Sequence, residues 1–458
     1  AYLEDGSAFL SVSVDGERTE FRFVEQFYTG PSIAHASSEI SAPATFAGYG
    51  IHAPELDYSD YDGLDVAGRI VVILSGMPPD FPSEEGAHFA SNRKKYEAAI
   101  NHGAAGLVRI HTPRRDRRTA WSRLKSVVGA PSMGWISDGG QPHAGFPQLR
   151  AKAVLHHAAA QPLFTGRDFS LADLVALDEE GETLPTFALN TEISFGQKSR
   201  HDLLTSPNVA ALLPGSDPLL KAEHLVYTAH LDHIGEVPGN GHGDGHGDVI
   251  NNGALDNASG VAVMLETARA FANGDRPRRS VLFLAVTAEE KGLVGSEYFA
   301  RNPTVPVESM VGAINLDMPL LLYDFGDVIA FGAERSSLGE TTRRAAGEFG
   351  IALSPDPMPE QNIFVRSDHY RFVQRGIPAI FLVTGPTSLD GDTDTQPIFT
   401  KFLKDHYHRP SDDLDLPIDY AAAARFTRIN ARIGEIVAND PNRPQWREGD
   451  FFGTTFGR

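Results

Sequence analysis

Four short apolar runs in the second half of the chain constrain its fold more strongly than any other feature. They lie at residues 225–229, 281–287, 311–316 and 378–383. The run "VLFLAVT" is almost wholly apolar, which is typical of a parallel strand in a sheet that helices cover on both faces. Helical patterns alternate with the runs, as in "SGVAVMLETARAFANG", and further helices are predicted at 336–349 and 418–438. The alternation predicts an α/β fold in which helices sandwich a mixed central sheet.

The first part of the chain has different patterns. Residues 1–40 alternate apolar and polar side chains and predict two strands joined at Asp15-Gly16, a pair typical of hairpin turns. Residues 41–185 combine an apolar strand at 70–74 with a helical segment that Gly103 ends, and they predict a smaller mixed α/β domain. The segments predicted are 1–40, 41–185, 186–440 and an irregular C-terminal tail at 441–458.

Composition excludes several classes of partner and site. The formal net charge of −20 opposes nucleic acid or anionic lipid as the main partner. The chain has no Cys, which excludes disulfides, thiolate metal sites and cysteine nucleophiles. No uncharged apolar run approaches the length of about 18 residues that a membrane span requires.

The compartment is predicted from the start of the sequence. The chain begins at Ala1 rather than Met, and we expect a signal peptide to precede it, which predicts a periplasmic or secreted protein. The absence of Cys fits a cytosolic protein equally well. The sequence leaves the oligomeric state open.

Acidic and His residues recur where the predicted strands end. The first strand ends in His230 and Asp232, the next in Glu289 and Glu290, and the third in Asp317. Two loops add the residues Asp256, His408 and Asp412. Each residue alone is typical of a surface position or a helix start. Because ligands of open α/β sheets bind beyond the carboxyl ends of the strands, their recurrence predicts one common site.

Five sequence blocks carry a family resemblance. "HLDHIG", "NGALDNASG", "TAEEKGLVGS", "NLDM" and "YHRPSDD", in this order, resemble the co-catalytic di-zinc aminopeptidase family over roughly residues 205–440. That family includes carboxypeptidase-like and glutaminyl cyclase relatives, and it implies a zinc exopeptidase fold of the phosphorylase/hydrolase type. Residues 41–185 resemble the protease-associated domain often inserted in it, either as a substrate-access wall or as a partner-binding module. Residues 1–40 would then end the first part of the peptidase domain.

The resemblance also implies a ligand set for two metal ions. Asp256 would bridge them, with His230 and Glu290 completing one site and Asp317 and His408 the other. The bond between Asp256 and the following Asn is expected to be cis. Two Zn²⁺ bring four positive charges against three carboxylates, which favours a bridging hydroxide, because zinc-bound water has a pKa of about 7. Nitrogen and oxygen ligands without sulfur suit catalytic zinc, with Co²⁺ or Mn²⁺ as alternatives.

Further roles follow from the same resemblance. Glu289 would be the general base, since it lies beside a ligand without being one. Asp232 would accept the second ring N–H of His230, and Asp412 that of His408.

Several neighbouring residues have weaker assignments. Tyr407 is predicted to form an aromatic wall or to donate a hydrogen bond. Ser367 and Asp368 either line the substrate side or cap a helix. His233 is expected either to pack beside the site or to contact the metal ligands from behind. The loop 239–250 is predicted to be polar and flexible or to bind an extra cation, through His242, Asp244, His246 and Asp248.

The sequence therefore predicts a metal-dependent exopeptidase that removes N-terminal residues from peptides. A carboxypeptidase-type enzyme is the alternative, because Arg366 and Arg409 lie near the family blocks and can bind a carboxylate. A single-zinc, glutaminyl cyclase-like enzyme is another alternative. A non-enzymatic binding domain is disfavoured, since all apparent ligands and Glu289 are retained.

Overall fold

The computed structural model describes residues 1–126, 128–236 and 248–457. The chain forms two compact units, residues 1–204 and residues 205–458. The sheets, helices and pairings below are those of the described residues.

The first unit is built on a nine-stranded mixed sheet within the described residues. Its strands are Tyr2–Leu3, Phe9–Val14, Glu17–Phe21, Phe27–Tyr28, Ser37–Ala47, Ile70–Leu74, Gly106–His111, Ala151–His156 and Thr186–Arg200. Its α-helices are Ser83–Ala90, Asn92–Asn101, Pro113–Arg118, Trp121–Ser126 and Leu171–Glu180. The hairpin prediction is confirmed, because Val14 pairs with Glu17 across a turn in which Asp15 and Gly16 both have positive φ.

The division predicted at residue 40 differs from the structure. Strand Phe9–Val14 pairs with the long strand Thr186–Arg200, which in turn pairs with Ser37–Ala47. The start and the end of the first unit are therefore neighbours in one sheet, and the boundary falls after Leu204. The alternating pattern of residues 1–40 identifies strands but carries no information on the sheet they join, which long-range pairing decides.

The second unit contains a seven-stranded sheet within the described residues. Its strands, in spatial order, are Val209–Leu213, Ser280–Val286, His224–His230, Met310–Asn315, Ala379–Thr384, Asp327–Phe331 and Ala352–Ser354. Its α-helices are Gly260–Asn273, Val294–Arg301, Leu338–Gly347, His369–Val373, Gln396–Asp405, Tyr420–Asn439 and Phe451–Phe456. The four strands from Ser280–Val286 to Ala379–Thr384 in this order are parallel.

Apolar side chains fill both faces of this sheet. Leu225 and Tyr227 belong to a cluster with Phe426 of helix Tyr420–Asn439, whereas Val226 points to a second cluster that contains Phe372. Successive side chains of a strand point to opposite faces, so a strand buried on both faces must be apolar throughout. The predicted α/β fold with a mixed, helix-covered sheet is confirmed.

Two parts of this unit depart from the predictions. The strands Val209–Leu213, Asp327–Phe331 and Ala352–Ser354 were not predicted from the sequence. The tail is not irregular, because Asp450 caps helix Phe451–Phe456 by accepting from the Gly453 N–H at 2.8 Å. Phe452, at 0% exposure, joins the second apolar cluster. None of the described helices is long and apolar enough to cross a membrane.

Close packing between the long helix and the sheet yields a stability prediction. Gly434 lies in the helix where an added Cβ would overlap the Tyr227 hydroxyl, which donates to the Asn430 carbonyl at 2.7 Å. We expect Gly434→Ala to destabilise the protein by about 1–3 kcal/mol, because buried overpacking forces neighbours apart. Gly347→Ala is the control, since nothing lies within 4 Å of its Cβ position. Denaturant unfolding followed by fluorescence measures both, and equal midpoints would contradict the prediction.

Candidate metal centre

The carboxyl ends of neighbouring parallel strands bring the predicted residues together. His230 is the last residue of its strand and is 1% exposed. The strand beside it leads to Glu289 and Glu290, and the strand on its other side leads to Asp317. Parallel strands end at the same edge of a sheet, so these side chains meet there as the sequence predicts.

The loop that carries Asp256 is joined to this edge by its neighbour Asn257. The Asp256–Asn257 peptide bond is cis, which confirms that prediction. The Asn257 Nδ2 donates to the carbonyls of His230 at 3.3 Å and Leu316 at 3.0 Å. Its Oδ1 accepts from the backbone N–H of Met318 at 3.0 Å. One side chain thus links the Asp256 loop to two strand ends.

The two carboxylate oxygens of Asp256 face two different groups. Oδ1 lies 3.3 Å from the His230 Nε2, which is also 3.2 Å from the Asp317 Oδ1. Oδ2 lies 3.2 Å from the His408 Nε2, which is also 3.4 Å from the Glu290 Oε2. A carboxylate divided in this way is suited to bridge two cations.

This geometry differs from the pairing that the resemblance implied. His230 shares its group with Asp317 rather than Glu290, and His408 shares its group with Glu290 rather than Asp317. Strand adjacency explains the first pair, because the strand of His230 lies directly beside Met310–Asn315.

Asp232 and Asp412 hold backbone rather than imidazole. The Asp232 carboxylate accepts from the N–H groups of Glu289 at 3.0 Å and Glu290 at 3.3 Å. The His230 Nδ1 instead lies 3.0 Å from the Asp232 carbonyl oxygen and 3.9 Å from its carboxylate. Asp232 therefore contacts the His230 ring as predicted, but it does so through its main-chain carbonyl and not through its carboxylate.

Asp412 differs more from its predicted role. It is 0% exposed, and its carboxylate accepts from the N–H groups of Leu255 at 2.9 Å and Asp256 at 3.0 Å. It thereby positions the loop of the shared carboxylate, not the ring of His408.

Ser367 belongs to a hydrogen-bond relay behind Asp317. Its hydroxyl donates to the Asp317 Oδ2 and accepts from the Asn315 Nδ2 at 2.6 Å. Helix His369–Val373 receives no side-chain cap, so the helix-cap interpretation of Ser367 and Asp368 is wrong. Ser367 fixes the orientation of a carboxylate in the site.

A pocket of about 320 Å³ adjoins this cluster. Glu289 lines it together with Tyr407, whose ring packs on that of His408 with centroids 3.8 Å apart. Tyr407 therefore forms the predicted aromatic wall. Arg366 and Arg371 also line the pocket, which gives it a cationic side.

The charges of the cluster shift the pKa values of its members. Burial lowers the pKa of His230, but the carboxylates of Asp317 and Asp256 outweigh burial and hold this pKa above its ordinary value. Burial raises the pKa of Asp256, whereas hydrogen bonds from His230 and His408 hold it below its ordinary range. The carboxylates at this edge of the sheet thus stabilise a positive charge on His230.

Burial and neighbouring carboxylates act in the same direction on the pKa of Glu289. Burial raises its pKa well above the ordinary value, and the Asp317 and Asp368 carboxylates raise it further. Asp368 is itself 0% exposed, and burial raises its pKa to about 7.

The cluster fits divalent metal ions. The Glu290 Oε1 is buried and accepts no hydrogen bond within the described residues, a costly state that a cation would relieve. Two groups have ligand atoms within 4.8 Å of one another: His230, Asp256 and Asp317, and His233, Asp256 and Glu290. Imidazole and carboxylate ligands without sulfur suit Zn²⁺, with Co²⁺ and Mn²⁺ as alternatives.

The site lies within a region that matches a known family. The model of peptidase family M28 matches residues 208–433. Residues 208–433 are a domain of peptidase family M28. The resemblance inferred from the five sequence blocks is thereby confirmed.

Individual relatives match parts or most of the chain. A probable zinc metalloprotease of Pyricularia oryzae is 44% identical over 43% of this chain and 43% of its own length. A probable lipoprotein aminopeptidase of Mycobacterium tuberculosis is 23% identical over 88% of this chain and 68% of its own. The chain spans between 14% and 43% of the length of the first four curated relatives.

Solved structures of similar proteins cover nearly the whole chain. An aminopeptidase from Aneurinibacillus sp. strain AM-1 has 19% identity and a TM-score of 0.48, covering 97% of this chain and 83% of its own. A zinc aminopeptidase from Bacillus subtilis has 18% identity and a TM-score of 0.41, covering 95% of this chain and 84% of its own.

Sequence reasoning missed two residues of the family M28 domain, Asn257 and Asn315. Both act through hydrogen bonds, and the sequence signal that could have found them is their position, directly after Asp256 and two residues before Asp317. His233 was expected to pack beside the site or to contact its ligands, and its Nδ1 lies 2.9 Å from the Glu290 Oε1. Within loop 239–250, residues 239–247, with His242, Asp244 and His246, lie outside the described residues. Asp248 accepts from the Ile250 N–H at 2.9 Å.

The position of Asp412 in this family M28 domain yields a second prediction. We expect Asp412→Ala to weaken metal binding about 10- to 100-fold, because losing a group that orients a ligand has this effect. Asp413→Ala is the matched control, since its carboxylate accepts only locally, from the Asp415 N–H at 2.8 Å. Metal affinity is measured by competition with a chromophoric chelator while circular dichroism checks the fold. Equal affinities for the two variants would contradict the prediction.

Proposed function

We propose that this protein is a di-zinc aminopeptidase that hydrolyses N-terminal residues from peptides. The observation that carries the proposal is the division of the Asp256 carboxylate, with one oxygen toward His230 and the other toward His408. Membership of residues 208–433 in peptidase family M28 supports a zinc-dependent peptidase. Curated relatives named as a zinc metalloprotease and an aminopeptidase support it further.

The residues that would hold the ions form two sets around Asp256. His230 and Asp317 would hold one ion, and Glu290 and His408 the other. When bound, the ions would supply Lewis-acid activation of water and of the substrate carbonyl.

Glu289 would move the proton in this reaction. Its side chain lines the pocket. Its main chain is held in place because the Glu289 N–H donates to the Asp232 carboxylate at 3.0 Å. Its carboxylate takes a proton from the attacking water and passes it to the nitrogen of the leaving amine. Tyr407, on the pocket wall, shields one side of the reacting bond from solvent.

A screen of substrates with blocked and free ends tests this function. The chain should hydrolyse free aminoacyl-amidocoumarins but not their N-acetylated forms, lose activity on chelation, and recover it with added Zn²⁺. Two ions per chain at full activity are expected, and one ion per chain without hydrolysis of these substrates would favour the cyclase-like alternative. Hydrolysis of the N-acetylated forms alone would refute the aminopeptidase assignment.

A carboxypeptidase-type activity is the second candidate, and Arg366 favours it. The residue lines the pocket, and its guanidinium donates to the Gln361 carbonyl at 3.3 Å while making no ion pair with the described side chains. A guanidinium in this position can bind a substrate carboxylate. N-acylated dipeptides with a free or an amidated carboxyl end distinguish this candidate, because only the free acid would be cleaved.

Two further features stay predictions. Residues 41–185, which lie within the first unit, are predicted to be a protease-associated domain that borders substrate access or binds a partner. A periplasmic or secreted location is also predicted, and cell fractionation of the native source tests it. The name of the lipoprotein aminopeptidase relative is consistent with that location.

A further inference from the structure

We propose that His233 is an additional metal ligand, acting through Nδ1 on the ion held by Asp256, Glu290 and His408. The inference rests on the proposed metal centre and adds a residue to it. It makes the two metal positions chemically unequal.

The contact between His233 and Glu290 is the first line of evidence. The His233 Nδ1 and the Glu290 Oε1 lie 2.9 Å apart, and the side chains are 10% and 7% exposed. Neither atom has a hydrogen-bond partner within the described residues, so they are close without the direction of an N–H···O bond. Two buried ligand atoms that lie close together without a hydrogen bond between them are both left unsatisfied, and one cation would satisfy both.

The surrounding ligands converge on the same place. The other Glu290 oxygen lies 3.4 Å from the His408 Nε2, and the rings of His233 and His408 have centroids 5.7 Å apart at 79°. Ligand atoms of His233, Asp256 and Glu290 all lie within 4.8 Å of one another. Two imidazoles and two carboxylates therefore surround one position, and the water of the proposed reaction would be a fifth ligand there.

Backbone packing holds the His233 ring against this position. A Cβ on Gly253 would lie 2.9 Å from the His233 Cγ, and Gly253 has a φ of +68°. Only glycine combines this left-handed backbone with so close an approach. The ring is therefore confined between the start of the Asp256 loop and the Glu290 carboxylate.

The inference predicts unequal metal preferences. The His230 position has one imidazole and two carboxylates, from Asp256 and Asp317, whereas the His233 position has two of each. Imidazole favours Zn²⁺ and Co²⁺, whereas carboxylate-rich sites accept Mn²⁺. The His233 position should therefore bind Zn²⁺ more tightly than the His230 position.

Substitutions that mimic one ring nitrogen test the inference in the full chain. Asn places an oxygen near the position of Nδ1, whereas Gln reaches toward that of Nε2. We expect His233→Gln to weaken one of two Zn²⁺ sites by about 100-fold, and His233→Asn to weaken it less. Equilibrium dialysis against buffered Zn²⁺ with elemental analysis measures both sites. The visible absorption of Co²⁺ bound at that position should shift as an imidazole is lost.

His224→Gln is the matched control, because this buried His begins the strand that ends at His230 and so lies at the end of the strand away from the site. If His233→Gln kept both Zn²⁺ sites at unchanged affinity and an unchanged Co²⁺ spectrum, the inference would be overturned and the proposed function would stay intact. Loss of both ions together would also overturn it, since it would assign His233 a general structural role. A wild-type chain that binds no zinc would overturn the proposed function as well.

Discussion

Glu289→Gln is expected to lower peptide turnover by roughly 10²- to 10⁴-fold while both metal ions stay bound. The variant removes the proton acceptor but keeps the size and position of the side chain. Glu289 belongs to neither group of candidate ligands within the described residues, so metal content should not change. The measurement is kcat on a free aminoacyl substrate, with metal content determined on the same sample.

Two comparison variants sharpen this test. Glu290→Gln changes the neighbouring residue, which contacts His408, and it should lose metal along with activity. Glu334→Gln, in the short 3-10 helix Ala333–Arg335, should change neither property, because this side chain is exposed. Retained turnover in fully metallated Glu289→Gln would remove Glu289 from the role of general base.

Asp256→Asn is expected to empty both metal positions together and to abolish activity. Each Asp256 oxygen faces a different His. The Asn side chain has an NH₂ group in place of one of these two oxygens, and this group repels a cation. We expect the affinity of each position to fall by about 100-fold or more. Titration with Zn²⁺ followed by elemental analysis measures both affinities.

Asp317→Asn is the comparison variant for Asp256→Asn, the variant of the shared carboxylate. Of the two groups of candidate ligands within the described residues, Asp317 belongs to that of His230, so its variant should weaken one position and spare the other. If Asp256→Asn also lost only one ion, Asp256 would not be shared between the two positions.

The sequence predicted the position of the site and, through its family resemblance, the ligand set. Asp, Glu and His recur at strand ends and in two loops, which predicts one common site because parallel strands place their carboxyl ends at one edge. The resemblance then implied His230, Asp256, Glu290, Asp317 and His408 as ligands, and the structure brings them together. The role of Asp412 was not predictable, because its hydrogen-bond partners lie more than 150 residues away along the chain.

The sequence by itself determined the α/β fold through apolar periodicity, and the five blocks determined the family and, through the resemblance, the expected ligands, because both are patterns of residues close together in the chain. Tertiary structure alone decided three other features. It paired His230 with Asp317, directed His233 toward Glu290, and joined residues 1–40 to the first sheet. These depend on which strands lie side by side and where a loop returns, and such distances are set by packing between segments far apart in the chain.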